Sequence, residues 1–128
     1  MRKVASILFL LTGIVVALGA FGHDSNAAKL IAEFAKAPQL DASVVSVTLA
    51  VWHFCSGCML VLGLICIWTW WRASRGERSV FAPTDLIGVF YMASGMATVI
   101  YTGKGFFWLF VALGALLILS ALVLRRTS

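Results

Sequence analysis

Residues 43–72 read SVVSVTLAVWHFCSGCMLVLGLICIWTWWR, and this stretch decides the fold of the chain. It contains no acidic residue and no lysine, and its only formal charge, on Arg72, comes last. A helix needs about 20 apolar residues to cross a bilayer, so the stretch predicts a membrane span over 44–71. Trp68, Trp70 and Trp71 before the arginine are typical of a helix end at the membrane–water boundary.

The composition of the whole chain also favours a membrane protein. The 128 residues are 62% hydrophobic and 12% charged, whereas a soluble domain carries about 25% charged residues. The net charge of +5 would suggest a nucleic-acid partner in a soluble protein. Here the basic residues stand at the ends of apolar runs, where they orient helices in the membrane. We therefore expect a lipid bilayer and no nucleic acid as the partner.

Three further apolar runs, at 4–22, 84–102 and 106–124, are long enough to span a membrane. In the polar connection between the first two spans, Ala27, Leu30, Ile31 and Phe34 share one helical face, which predicts a short amphipathic helix. The sequence thus predicts an all-α integral membrane four-helix bundle, a single transmembrane domain over 1–128. A cleaved signal peptide is the alternative for 4–22, although its run exceeds the ~7–15 apolar residues of a signal core.

The basic residues predict how the chain is threaded. Seven of them would share one side of the membrane and three, Lys29, Lys36 and Lys104, the other. This asymmetry favours both termini in the cytoplasm, and an even number of spans requires the termini to share a side. We expect a multi-pass protein of a bacterial inner membrane.

Two histidines are the ionisable residues that the spans bring to a similar depth near the outer surface. His23 closes the first span and His53 begins the lipid-embedded part of the second. Both lie on faces of small residues, where membrane helices approach each other. We predict a pocket in the outer half of the bundle that binds a ligand or a partner. The alternative is that the histidines only form hydrogen bonds between helices. The predicted pocket residues are His23, His53, Ser56, Thr98 and Tyr101.

Cofactor hypotheses follow from the same region. Haem b held between His23 and His53 is one, although adjacent helices lie only about 8–10 Å apart. A soft-metal site would need Cys58 and Met59 joined by Met92 or Met96. The alternative is that these sulfur side chains fill apolar space.

Cys55 and Cys58 form a C-x-x-C pair early in the second span. With four spans and cytoplasmic termini, this placement resembles the quinone-linked disulfide oxidase family of DsbB. The resemblance implies that the pair passes electrons to a membrane quinone. The chain departs from that family in the loop at Gly103, which is short and has no cysteine.

The layout of a first span, a short amphipathic segment and three more spans with short loops resembles the DoxX-like group of small four-helix membrane proteins. That resemblance covers the architecture and implies an accessory membrane subunit or a redox-associated protein. We expect a membrane protein or further copies of the chain as its partner. We therefore predict a non-catalytic accessory or binding module. The alternative is a membrane redox protein that uses haem, quinone or the Cys55/Cys58 pair.

Overall fold

The computed structural model describes residues 2–77 and 79–126. Within this range the chain forms α-helices and no strand, as expected for an all-α protein. Arg78, one of the seven basic residues counted above, lies outside the described residues. Short 3-10 turns at Ser79–Phe81 and Gly105–Phe107 precede the last two helices. The helices are α1 (Arg2–Ser25), α2 (Ala27–Ala35), α3 (Ala42–Ser74), α4 (Ala82–Thr102) and α5 (Trp108–Arg126).

Four helical segments of the described chain are long and apolar enough to cross a membrane, which is the number that the sequence predicts. They are Arg2–Ala35, Ala42–Ser74, Ser79–Thr102 and Gly105–Arg126. With 33 residues, α3 is about 50 Å long at 1.5 Å per residue. The hydrocarbon layer of a bilayer is only about 30 Å thick, so a helix of this length would tilt in it or extend beyond it.

The helices pack unevenly. α1 lies along both α3 and α5, and α4 lies along α5, whereas α3 and α4 share a much smaller contact. The order around the bundle is therefore α3, α1, α5, α4, with a groove between α3 and α4. We call the end that holds His23 and His53 the imidazole end, and the opposite end, which holds Arg72 and Arg125, the arginine end.

Glycines allow the packed helix pairs to approach closely. A Cβ on Gly63 of α3 would overlap the backbone nitrogen of Ala17 in α1. A Cβ on Gly114 of α5 would overlap the carbonyl oxygen of Gly88 in α4. Small residues at such crossings let membrane helices pack backbone against backbone, so these sites fix the α1–α3 and α4–α5 pairs.

The core continues into the arginine end. Phe9 and Leu117 are fully buried, and the ring of Phe9 meets that of Phe81 edge-on with centroids 5.8 Å apart. Arg125 donates to Asp85, which ties the end of α5 to the start of α4. Phe81 thus holds the connection after α3 against α1.

Single residues explain where α3 begins and where α4 ends. Asp41 is the N-cap of α3, where its carboxylate accepts from the backbone N–H of Ser43 at 2.7 Å. Hydrogen bonding from the Ser43 side chain, and then from its backbone N–H, lowers the pKa of the Asp41 carboxyl group. At the end of α4, Gly103 takes a left-handed conformation with φ of 67°, which glycine adopts without steric cost.

Candidate functional site

His23, at the end of α1, is held by two residues of α3. Its Nδ1 lies 2.9 Å from Ser56 Oγ. The indole of Trp52 stacks on the imidazole with centroids 4.1 Å apart and an angle of 18° between the rings. The same indole donates its Nε1–H to the His23 carbonyl oxygen at 3.0 Å. These contacts anchor the last turn of α1 to α3.

His53 belongs to a second α1–α3 contact, one turn closer to water. Its Nδ1 lies 2.6 Å from the carboxylate oxygen Oδ1 of Asp24. The His53 and Asp24 side chains are 56% and 48% exposed. The pair therefore sits at the surface of the imidazole end, where water screens the interaction.

The direction in which the Ser56 hydroxyl donates its proton determines whether His23 presents a hydrogen-bond donor or an acceptor to a ligand. Ser56 Oγ lies 3.2 Å from the carbonyl oxygen of Trp52, to which it can donate. In that arrangement His23 Nδ1–H donates to Ser56 Oγ, and Nε2 of the neutral imidazole is left as an acceptor.

A cavity of about 400 Å³ lies below His23, in the groove between α3 and α4. Its walls are mostly apolar and aromatic, and polar side chains come mainly from α4. It shares four wall residues with a neighbouring cavity of about 590 Å³ that also includes Gly57, so the two form one groove. The shared residues are Phe54, Cys58, Leu62 and Phe90.

The sequence placed five residues in one outer pocket, and the structure distributes them. His23 and Ser56 are hydrogen-bonded to each other, and His23 and Thr98 both line the cavity. Tyr101 is 91% exposed, and His53 is hydrogen-bonded to Asp24 at the surface. A shared ligand-binding role for the five stays a prediction.

Sequence reasoning missed two residues of the site. They are Asp24, which is hydrogen-bonded to His53, and Trp52, which contacts His23 twice. A sequence signal for both was present, because each histidine stands next to the residue that contacts the other histidine. Asp24, the partner of His53, follows His23, and Trp52, the partner of His23, precedes His53. The pairing between the two dipeptides requires knowing that α1 and α3 are adjacent and in this register.

The cysteines lie in two different environments. Cys55 and Cys58 line the cavity as free thiols, while Cys66 is fully buried against α1 near Gly13. Met59, from the soft-metal hypothesis, also lines the cavity. In the described parts of the chain, no three or more His, Cys, Asp or Glu side chains form a group that could hold a metal ion.

The hydrogen bonds of His23 and His53 determine which of their nitrogen atoms could hold a haem. Both imidazoles use Nδ1, towards Ser56 and Asp24 respectively, so the Nε2 atoms of His23 and His53 would be the ones to hold a haem iron. Trp52 covers one face of the His23 ring. Haem binding stays a prediction.

Comparisons of this chain with protein-family models, with curated proteins and with solved structures give no match. Its chemistry must therefore be inferred from the site itself. The arrangement offers an apolar groove, a cluster of hydrogen-bonding side chains at one end of it, and two thiols in its wall.

Proposed function

We propose that this chain is a multi-pass protein of a bacterial inner membrane, with both termini in the cytoplasm, that binds an amphipathic lipid in the groove between α3 and α4. In this proposal it serves as an accessory module rather than as an enzyme. The observation that carries the proposal is the cavity of about 400 Å³ below His23. The resemblance of the layout to DoxX-like proteins supports an accessory role.

The position of the groove favours a ligand that comes from the bilayer. The small contact between α3 and α4 leaves the groove open at the side of the bundle, where lipid surrounds a membrane protein. Phe54 and Val61 of α3 and Phe90 of α4 are largely exposed along it. An apolar chain entering from the lipid would cover these side chains without crossing a polar barrier.

The polar end of the cavity favours a ligand whose head group donates hydrogen bonds. Ser94 donates its hydroxyl proton to the Phe90 carbonyl at 2.6 Å, and Thr98 donates to the Ser94 carbonyl at 2.7 Å. Because both protons are used inside α4, the two hydroxyl oxygens face a ligand as acceptors. Nε2 of His23 adds a third acceptor when the Ser56 hydroxyl donates to the carbonyl oxygen of Trp52. A lipid with a free hydroxyl group, such as a glycerol head group or a quinol, matches this set.

Gly57 provides a sharp test because a side chain added there fills the groove without a clash. A Cβ on Gly57 meets nothing within 4 Å, and the same holds for Gly22, which does not line the groove. We expect the protein and its Gly22→Leu variant, extracted in native nanodiscs, to retain a defined hydroxylated lipid by mass spectrometry. The Gly57→Leu variant should retain at least about five-fold less, a loss of about 1 kcal/mol.

Equal retention by the Gly57→Leu and Gly22→Leu variants would contradict the proposal. So would a population of bound lipids that matches the bulk membrane, because this indicates unspecific annular lipid. If Gly57→Leu instead converts an oligomer to a monomer, the groove holds a second copy of the chain and not a lipid.

A redox role is a second candidate, because Cys55 and Cys58 both line the cavity. A quinone there would accept two electrons and two protons from the thiols, which would form a disulfide while the quinone becomes a quinol. Alkylation followed by mass spectrometry tests this step: added quinone should protect both cysteines together, and a reductant should restore both. Full alkylation of the two in the presence of quinone would end this candidate.

A further inference from the structure

A second, smaller cavity of about 150 Å³ lies at the arginine end, away from the groove. The start of α1, the end of α3 and the connection that follows α3 enclose it, together with α5. Trp70, Phe81 and Leu124 contribute apolar walls, whereas Arg2 and Ser6 contribute polar groups from α1. The cavity therefore combines charge and apolar surface at the level where lipid head groups meet the hydrocarbon.

Two hydrogen-bond donors in the wall of this cavity, the Ser6 hydroxyl and the Arg2 guanidinium, have no acceptor among the described residues. Trp70 Nε1 donates to Ser6 Oγ at 2.9 Å, and since an indole nitrogen is only a donor, the Ser6 proton remains available. No acceptor for that proton is found within residues 2–77 and 79–126. Across the same residues Arg2 has no ion-pair partner. A guanidinium group and a hydroxyl thus both offer protons to one space.

Glu77, the acid among the described residues of the cavity wall, forms an ion pair with Arg72 and not with Arg2. Glu77 accepts from both Nε and Nη2 of Arg72, so both of its carboxylate oxygens are engaged outside Arg2. Among the described residues of the wall, the remaining cation is Arg2, next to a hydroxyl donor. This combination suits the oxygen atoms of a phosphate group, which a guanidinium binds through two parallel hydrogen bonds.

We propose that this cavity binds the phosphate of an anionic membrane lipid, with Arg2 and Ser6 as donors and with Trp70, Phe81 and Leu124 against the start of the acyl chains. Basic pockets between membrane helices on the cytoplasmic side are a general way of binding anionic head groups. The site is independent of the groove between α3 and α4, so its failure would leave the proposed function unaffected.

Native mass spectrometry of the full chain in detergent micelles, titrated with phosphatidylglycerol or with phosphatidylcholine, tests this site. We expect one phosphatidylglycerol to bind several-fold more tightly than phosphatidylcholine. The Arg2→Gln variant should weaken it about five-fold, and Ser6→Ala should weaken it by a smaller factor. Arg126→Gln is the matched control, because it removes the same charge from the same end of the bundle outside the cavity wall.

Circular dichroism must show the same helicity for each variant, and Arg2→Gln meets this condition readily because the residue is exposed at the start of α1. Equal losses for Arg2→Gln and Arg126→Gln would overturn the proposal, since they indicate unspecific attraction to positive charge. Equal affinity for the two lipids would also overturn it. Displacement of phosphatidylglycerol by millimolar inorganic phosphate would assign the cavity to a free anion rather than to a lipid.

Discussion

Gly63 of α3 lies directly against the backbone of Ala17 in α1, with no room for a side chain between the two helices. A methyl group at Gly63 would force the pair apart. Overpacking of this kind costs about 1–3 kcal/mol. We expect Gly63→Ala to lower the free energy of unfolding by that amount, measured by unfolding in mixed micelles and followed by circular dichroism.

Gly57 is the matched control for this change, six residues earlier on the same helix and open on the groove side. Gly57→Ala should leave stability unchanged or raise it slightly, because alanine favours the helix over glycine. Similar losses for the two variants would show that the close α1–α3 contact does not limit stability.

Trp52 provides a second test of how α1 is joined to α3. Trp52→Phe keeps a ring against His23 but removes the donor to the His23 carbonyl, and we expect a loss of about 1 kcal/mol in the free energy of unfolding. Trp52→Ala should cost more, since the stacked ring is also lost. Trp108→Phe, at a half-exposed tryptophan, is the control and should have little effect. A Trp52→Phe variant as stable as this control would argue against the hydrogen bond.

The two histidines should contribute unequally to stability. His53→Ala removes only a contact between two half-exposed side chains, which water and salt screen. His23→Ala removes both the hydrogen bond to Ser56 and the stacking on Trp52. We expect a larger decrease in the melting temperature for His23→Ala, measured at two ionic strengths. A larger decrease for His53→Ala would indicate that the surface pair dominates.

The cap at Asp41 predicts a pH dependence at the start of α3. The hydrogen bond from Ser43 lowers the pKa of this carboxyl group, so the folded state favours the ionised form. Its stabilising contribution is present above the unfolded pKa of about 3.9 and is lost as the pH falls through the lower folded value. The amide resonance of Ser43 should report this titration, and it should stay constant with pH in Asp41→Asn. A titration midpoint above about 4 in the unmodified chain would contradict it.

Much of the fold follows from the sequence alone. Runs of about 20 apolar residues can be satisfied only by helices in lipid, so four such runs predict four helices, and the described chain has four that are long and apolar enough to cross a membrane. Local signals also locate their ends: Asp41 caps α3, Gly103 ends α4, and the sequence-predicted span at 44–71 falls within α3 (Ala42–Ser74). These features depend on near neighbours in the chain, which a sequence displays directly.

The site depends on relationships that no local pattern contains. A helical wheel places His23 and Ser56 on small-residue faces, but it does not say which helix each face meets. The packing order α3, α1, α5, α4 places α1 beside α3, so that Trp52 stacks on His23 and Asp24 forms a hydrogen bond with His53. The same order leaves the groove between α3 and α4. That order depends on where glycines allow close backbone approach, because helices in lipid associate through packing rather than through a difference in hydrophobicity.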